Sequence, residues 1–88
     1  MFAVSTNKVV YVLILTFAMG LLHLSLYSAG ATRYNIDDNG KKMTFMDIIH
    51  FTIVTQYTVG YGDIYPVNAV ARILSWIHMM LFFMIAIA

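Results

Sequence analysis

Two long apolar segments constrain this chain more than any other feature of its sequence. Val9 to Tyr27 includes no Asp, Glu, Lys or Arg over nineteen positions, and Ala69 to Ala88 has Arg72 as its one charged residue over twenty. As helices with a rise of 1.5 Å per residue, these segments extend roughly 28 and 30 Å, which matches the hydrocarbon thickness of a bilayer. We therefore expect two transmembrane helices, over residues 9–27 and 69–88.

The composition excludes several other classes of protein. Of the 88 residues, 61% are apolar and only 10% are charged, whereas a soluble domain this small needs a more polar surface. There is no cysteine, which excludes a disulfide scaffold and a thiolate metal site. A net charge of +1 gives no reason to expect a nucleic-acid partner. We expect one membrane domain, residues 1–88, with the lipid bilayer as its environment and no structural metal.

The start of the chain has a second interpretation. Residues 1–8 form a short polar N-terminal segment before the first helix. Lys8, the apolar run and the small residues Ala29, Gly30 and Ala31 together resemble a signal peptide with its cleavage site. The apolar run is longer than the core of a typical signal peptide, which favours a transmembrane helix.

The region between the two long segments divides into a polar loop, a short helix and a return. Residues 28–43 form the outer loop; Asn35 to Gly40 resembles the start of a calcium loop, but its twelfth position is Met46, where that loop needs a Glu. We interpret the loop as a solvated turn. Residues 44–57 are mostly apolar and too short to span, which predicts a re-entrant helix with Thr44 as N-cap and Asp47 completing a capping box. Residues 64–68 return to the second long helix, for which Asn68 is a possible N-cap.

The segment between the re-entrant helix and the return is built to expose backbone oxygens. Residues 58–63 read Thr-Val-Gly-Tyr-Gly-Asp. A cation that leaves water needs other oxygens around it, and regular helices and strands use their carbonyls in their own hydrogen bonds. Gly60 and Gly62 tolerate positive φ values, so that successive carbonyls can point the same way. The segment is therefore predicted to act through its backbone.

This arrangement of helix, re-entrant helix, filter sequence and helix resembles the two-transmembrane potassium channels, and above all the miniature potassium channels of algal viruses. The residues that meet the family pattern are Thr55, Thr58, Gly60, Tyr61, Gly62 and Asp63. The resemblance implies an all-α membrane protein that assembles as a homotetramer. It also implies a passive K⁺-selective channel without enzyme activity or cofactor, with K⁺ as the permeant ion, Ba²⁺ as a blocker and both termini in the cytoplasm. The filter residues that it implies are Thr58, Val59, Gly60, Tyr61 and Gly62, through their carbonyls and the Thr58 hydroxyl.

Four further residues lie around this filter by the same resemblance. Asp63 follows it at the outer mouth, either as part of a ring of carboxylates or as a turn-forming residue. His50 occupies the position of an aromatic donor in many relatives, which predicts a hydrogen bond from His50 to Asp63 and a dependence on external pH; a His simply packed among aromatic side chains is the alternative. Thr55 supports the filter from the re-entrant helix. Val54 stands where some relatives place a buried Glu.

The second long helix lacks the glycine hinge of many relatives. Spacing predicts one stripe toward the pore, formed by Met79, Phe82 or Phe83, and Ala86, although ordinary helix packing explains the stripe equally well. If Phe82 or Phe83 faces the axis, four aromatic rings would form a hydrophobic gate. Ser75 is expected to bond back to the carbonyl four residues earlier. His23 and His78 lie within the spans, and we expect them to be neutral and hydrogen-bonded between helices.

Charge does not decide the orientation. The loop carries Arg33, Lys41 and Lys42, and the positive-inside rule would place it in the cytoplasm, whereas the resemblance places it outside. There is no Arg-rich sensor helix, so we expect little voltage dependence. Two other functions stay open: a nonselective cation channel, and a non-conducting membrane hairpin that binds other proteins.

Overall fold

The computed structural model describes residues 6–57 and 62–87, which fold almost entirely as helices. The helices are α1 (Thr6–Ser28), α2 (Asn35–Asp38), α3 (Phe45–Gln56) and α4 (Ala69–Ile87). Within these described ranges there is no β-strand, and one isolated bridge pairs Tyr34 with Pro66. The predicted all-α class is confirmed.

Two of the four helices, α1 and α4, have the length and hydropathy of membrane spans. They contain 23 and 19 residues. Helix α1 begins at Thr6, three residues before the predicted start, so that Lys8 is helical, and its Nζ donates to the Ala86 carbonyl at 3.3 Å. Most large apolar side chains of both helices are exposed in the single chain, as expected for surfaces that face lipid or other subunits.

Helix α3 lies between these spans and is too short to cross a bilayer. Its N-terminus has the predicted capping box, because the Asp47 N–H donates to Thr44 Oγ1 at 3.2 Å and the Thr44 N–H donates to Asp47 Oδ2 at 2.8 Å. Its twelve residues extend about 18 Å. It contacts both α1 and α4. The residues that it buries are Ile48, Phe51, Thr52, Val54, Thr55 and Gln56.

The outer loop is partly solvated, as expected, and partly folded: residues 38–42 are exposed. Asn35–Asp38 forms the short helix α2, and the Asp37 carboxylate accepts hydrogen bonds from the Tyr34 N–H, at 2.9 Å, and from the Tyr27 hydroxyl. The Tyr27 hydroxyl in turn accepts from the Met43 N–H at 2.7 Å. These bonds hold the two ends of the loop against the end of α1.

A small apolar core lies beneath this loop, where the three longer helices meet. Tyr34 is at its centre with 1% of its surface exposed, and its ring packs edge-on against Phe51 with 4.9 Å between centroids. Burial raises the pKa of the Tyr34 phenol above its ordinary value of 10.0. The other buried members of the core are Met43, Ile48, Ile64 and Ala71.

The amide of Asn68 connects the loop to the start of α4. Its Oδ1 accepts from the Ala71 N–H at 3.0 Å, which confirms the predicted N-cap, and from the Arg33 N–H at 3.2 Å. Its Nδ2 donates to the Ala31 carbonyl at 3.0 Å. Further along α4, the Ser75 hydroxyl donates to the Ala71 carbonyl at 2.9 Å, the predicted bond to the preceding turn.

Candidate functional site

The described part of the predicted filter is its C-terminal end. Thr58, Val59, Gly60 and Tyr61 lie outside the described residues, so their predicted carbonyl positions stay predictions. Gly62 has a φ of +81°, a value that residues with a side chain rarely adopt. The expected positive φ is therefore confirmed at Gly62.

Asp63 is held on both of its carboxylate oxygens. Oδ1 accepts from the N–H of Ile64 at 3.0 Å, and Oδ2 lies 3.1 Å from Nε2 of His50. The predicted contact between His50 and Asp63 is thus present, and it joins the first half of α3 to the residue that follows the filter. Both side chains keep substantial exposure, 39% for His50 and 54% for Asp63.

The outer loop reaches the same segment through Asn35. The Asn35 Nδ2 donates to the carbonyl of Asp63 at 2.9 Å, and its Oδ1 accepts from the Tyr65 N–H at 2.7 Å. The Asn35 N–H also donates to the Tyr65 carbonyl at 3.0 Å. One residue of the loop therefore holds both Asp63, at the end of the filter sequence, and Tyr65, in the return.

Behind the end of α3, four side chains form a continuous hydrogen-bonded chain across three helices. Gln56 Nε2 donates to Thr16 Oγ1 at 2.7 Å, and Gln56 Oε1 lies 3.1 Å from Nε2 of His78. His78 Nδ1 lies 3.2 Å from Nε2 of His23. Gln56 and His78 are fully buried and His23 is 1% exposed. We call Thr16, Gln56, His78 and His23 the polar chain.

The candidate gate residues of α4 have different surroundings. Phe82 packs edge-on against Tyr57, the residue after α3, with 5.1 Å between ring centroids. Phe83 is 64% exposed in the single chain. Met79 is half-buried, and Ala86 is exposed near the end of the helix. Phe82 is thus the aromatic residue of this stripe that contacts the end of α3.

Two further predicted residues, Thr55 and Val54, are buried. Thr55 is 9% exposed and Val54 is 7% exposed, so both are buried in α3. Among residues 6–57 and 62–87, no group of three or more His, Cys, Asp or Glu side chains is placed to hold a metal ion.

Sequence reasoning missed Asn35, Gln56 and Thr16 as parts of this site. Their partners are 22 or more positions away in the chain, and such partners cannot be read from local spacing. A usable signal was nevertheless present for the polar chain, because Thr16, His23 and His78 are polar residues inside apolar spans.

Comparison with known proteins gives the class of this fold and site. The family described as "Ion channel" matches residues 6–88, which is almost the whole chain. The chain belongs to this family of ion channels, and its two bilayer-length helices make it an integral membrane protein.

One similar protein has a more specific description. The chain is 32% identical over 54 residues to the "Potassium channel protein kcv" of Paramecium bursaria Chlorella virus 1. The match covers 61% of this chain and 57% of the relative, so that it spans little more than half of that protein. No solved structure matches the chain.

Proposed function

We propose that this chain is one subunit of a homotetrameric, K⁺-selective channel that conducts passively across a membrane. The observation that carries the proposal is the position of the Thr-Val-Gly-Tyr-Gly-Asp sequence. The sequence begins two residues after α3, a twelve-residue helix that is too short to cross a bilayer. It lies between two helices of bilayer length, in a member of an ion-channel family. The similar viral protein described as a potassium channel supports K⁺ as the permeant ion.

In this proposal the carbonyls of residues 58–62 and the Thr58 hydroxyl replace the water around K⁺. Four copies are required because one chain supplies only one wall of the conduction path. No cofactor takes part, and the ion itself is the ligand. Ba²⁺, which has twice the charge of K⁺, is expected to enter the same sites and block.

Two features of the described residues favour a cation at this place. Helix α3 ends at Gln56, two residues before Thr58, and a helix C-terminus has a partial negative charge of about half a unit. At the other end of the filter sequence, Asp63 keeps an exposed carboxylate. In a tetramer, four of each would surround the axis, so both ends of the filter would attract cations.

We propose the orientation that the family resemblance implies, with the loop outside and both termini in the cytoplasm. The chain has no cysteine, so each introduced cysteine is the single labelling site. A membrane-impermeant maleimide applied to intact cells should label Asn39→Cys in the exposed loop. It should label Asn7→Cys only after permeabilisation, and the opposite pattern would reverse the proposed orientation.

The experiment that tests the function is a recording from purified protein in planar bilayers under opposed K⁺ and Na⁺ gradients. We expect a reversal potential near the K⁺ equilibrium potential, and block by Ba²⁺. A reversal potential near zero would identify a nonselective cation channel. The absence of any current from protein that has assembled would favour the non-conducting hairpin.

A further inference from the structure

We propose that Gln56 is a positioning residue for the filter, held by the polar chain so that the end of α3 is locked to both membrane spans. The inference deepens the proposed function and rests on it. Gln56 is the last residue of α3 and the second before Thr58, and all of its side chain is buried. Any shift of this residue moves the point at which the filter sequence begins.

The hydrogen bonds of the polar chain run in one direction only. The amide oxygen of Gln56 can only accept, so Nε2 of His78 must carry the hydrogen in their 3.1 Å contact. A neutral His78 then has a lone pair on Nδ1, which accepts from Nε2–H of His23 at 3.2 Å. Both imidazoles are thereby fixed in one tautomer.

The hydrogen bonds at the other end of the polar chain run in the same direction. The Gln56 amide nitrogen donates to Thr16 Oγ1 at 2.7 Å, and the Thr16 hydroxyl donates to the Val12 carbonyl of its own helix at 2.8 Å. From His23 to Val12, each of these four contacts therefore pairs one donor with one acceptor, while Nδ1 of His23 is buried without a partner. Because no group in this run can be reversed alone, the end of α3 has one favourable position between α1 and α4.

The membrane environment makes the loss of these hydrogen bonds costly in free energy. A buried polar group that loses its partner inside a bilayer has no water to replace it. Displacement of Gln56 breaks bonds to two helices at once, which leaves polar groups unsatisfied on α1 and α4. We infer that the bonded chain favours the conducting arrangement of the filter, and that its loss favours closures.

The test compares variants that keep or remove one bond, in single-channel recordings of the full chain. Thr16→Val removes the hydroxyl that accepts from Gln56, and Thr16→Ser restores it. Thr52→Val is the matched control. It removes a buried hydroxyl of α3 that donates at 2.7 Å to the Ile48 carbonyl of the same helix, so no bond to another helix is lost. Loss of a buried hydrogen bond shifts a two-state equilibrium by roughly five- to thirtyfold. We therefore expect Thr16→Val to lower the ratio of open to closed time by that factor, with Thr16→Ser and Thr52→Val within about twofold of wild type.

A second pair of variants tests the bond between His78 and Gln56. These variants test the inference even if Thr16→Val fails to assemble. His78→Gln keeps a donor where Nε2 lies, whereas the shorter amide of His78→Asn lies where Nδ1 lies and leaves no donor at the position of Nε2. We expect His78→Gln to retain more open time than His78→Asn. The inference is overturned if wild type conducts K⁺ selectively but Thr16→Val behaves like Thr52→Val, or His78→Asn like His78→Gln. A wild type without selective K⁺ current would instead overturn the proposed function.

Discussion

Nε2 of His50 lies 3.1 Å from Oδ2 of Asp63, which ties α3 to the last residue of the filter sequence. The imidazole donates this bond whenever Nε2 carries a hydrogen, in its neutral form as well as in its charged form. Because both side chains are partly exposed, solvent weakens the attraction between them.

This geometry predicts that the His50 donor stabilises the end of the filter sequence. His50→Phe removes the bond to the Asp63 carboxylate and should shorten open times, whereas His50→Gln keeps a donor and should resemble wild type. For a partly exposed pair the effect is at most about 1 kcal/mol, or roughly fivefold. Single-channel open times measure it, and equal open times in all three proteins would refute the assignment.

The contacts of Asn35 predict that the outer loop stabilises the filter from outside. Asn35→Ala removes the bonds to the Asp63 carbonyl and the Tyr65 N–H, each worth about 0.5–1.5 kcal/mol. We expect more frequent brief closures without a change in the number of assembled tetramers. Asn39→Ala, the same substitution at an exposed position of the same loop, is the control and should resemble wild type. Equal closure frequencies in both variants would show that the hydrogen bonds of Asn35 do not stabilise the filter.

The backbone of Gly62 predicts a strict requirement for glycine. At φ +81° an added side chain costs about 1–2 kcal/mol, so Gly62→Ala should sharply reduce K⁺ current or its selectivity over Na⁺. Gly40 has almost the same φ, +79°, with open space around it, and lies in the outer loop. Gly40→Ala therefore imposes similar strain away from the filter. Reversal potentials should separate the two variants, and an unaltered Gly62→Ala channel would count against the proposed filter.

The position of Phe82 predicts different effects for the two aromatic gate candidates. Its edge-on contact with Tyr57 is worth about 0.5–1.5 kcal/mol beyond the buried area, so Phe82→Ala should change closed-time distributions through the end of α3. Phe83→Ala is the matched neighbour, one position along the same helix. If Phe83 lines the axis as a hydrophobic constriction, its removal should shorten the long closures and raise conductance. Closed times unaltered in both variants would exclude the aromatic gate.

The sequence was sufficient for the three longer helices and insufficient for α2 and for the polar contacts between helices. Apolar length predicted α1 and α4, and a local signal, Thr44 with Asp47, predicted the start of α3. The bond between Gln56 and Thr16 joins residues 40 positions apart, and neither residue type has a preferred partner. Such a bond depends on the angles at which helices pack, which periodicity does not encode. The contact between His50 and Asp63 was predicted because the family resemblance pairs these two positions. Their spacing in the sequence alone does not predict it.

The three hydrogen bonds of the Asn68 amide have a consequence for biogenesis. The loop segment at Ala31 and Arg33 is bonded to a residue that is synthesised more than thirty positions later. A nascent chain that has inserted only α1 and α3 therefore lacks the group that closes its outer loop. The loop reaches its final form only once Asn68 has been added, so a residue at the start of α4 completes the surface that begins at the end of α1.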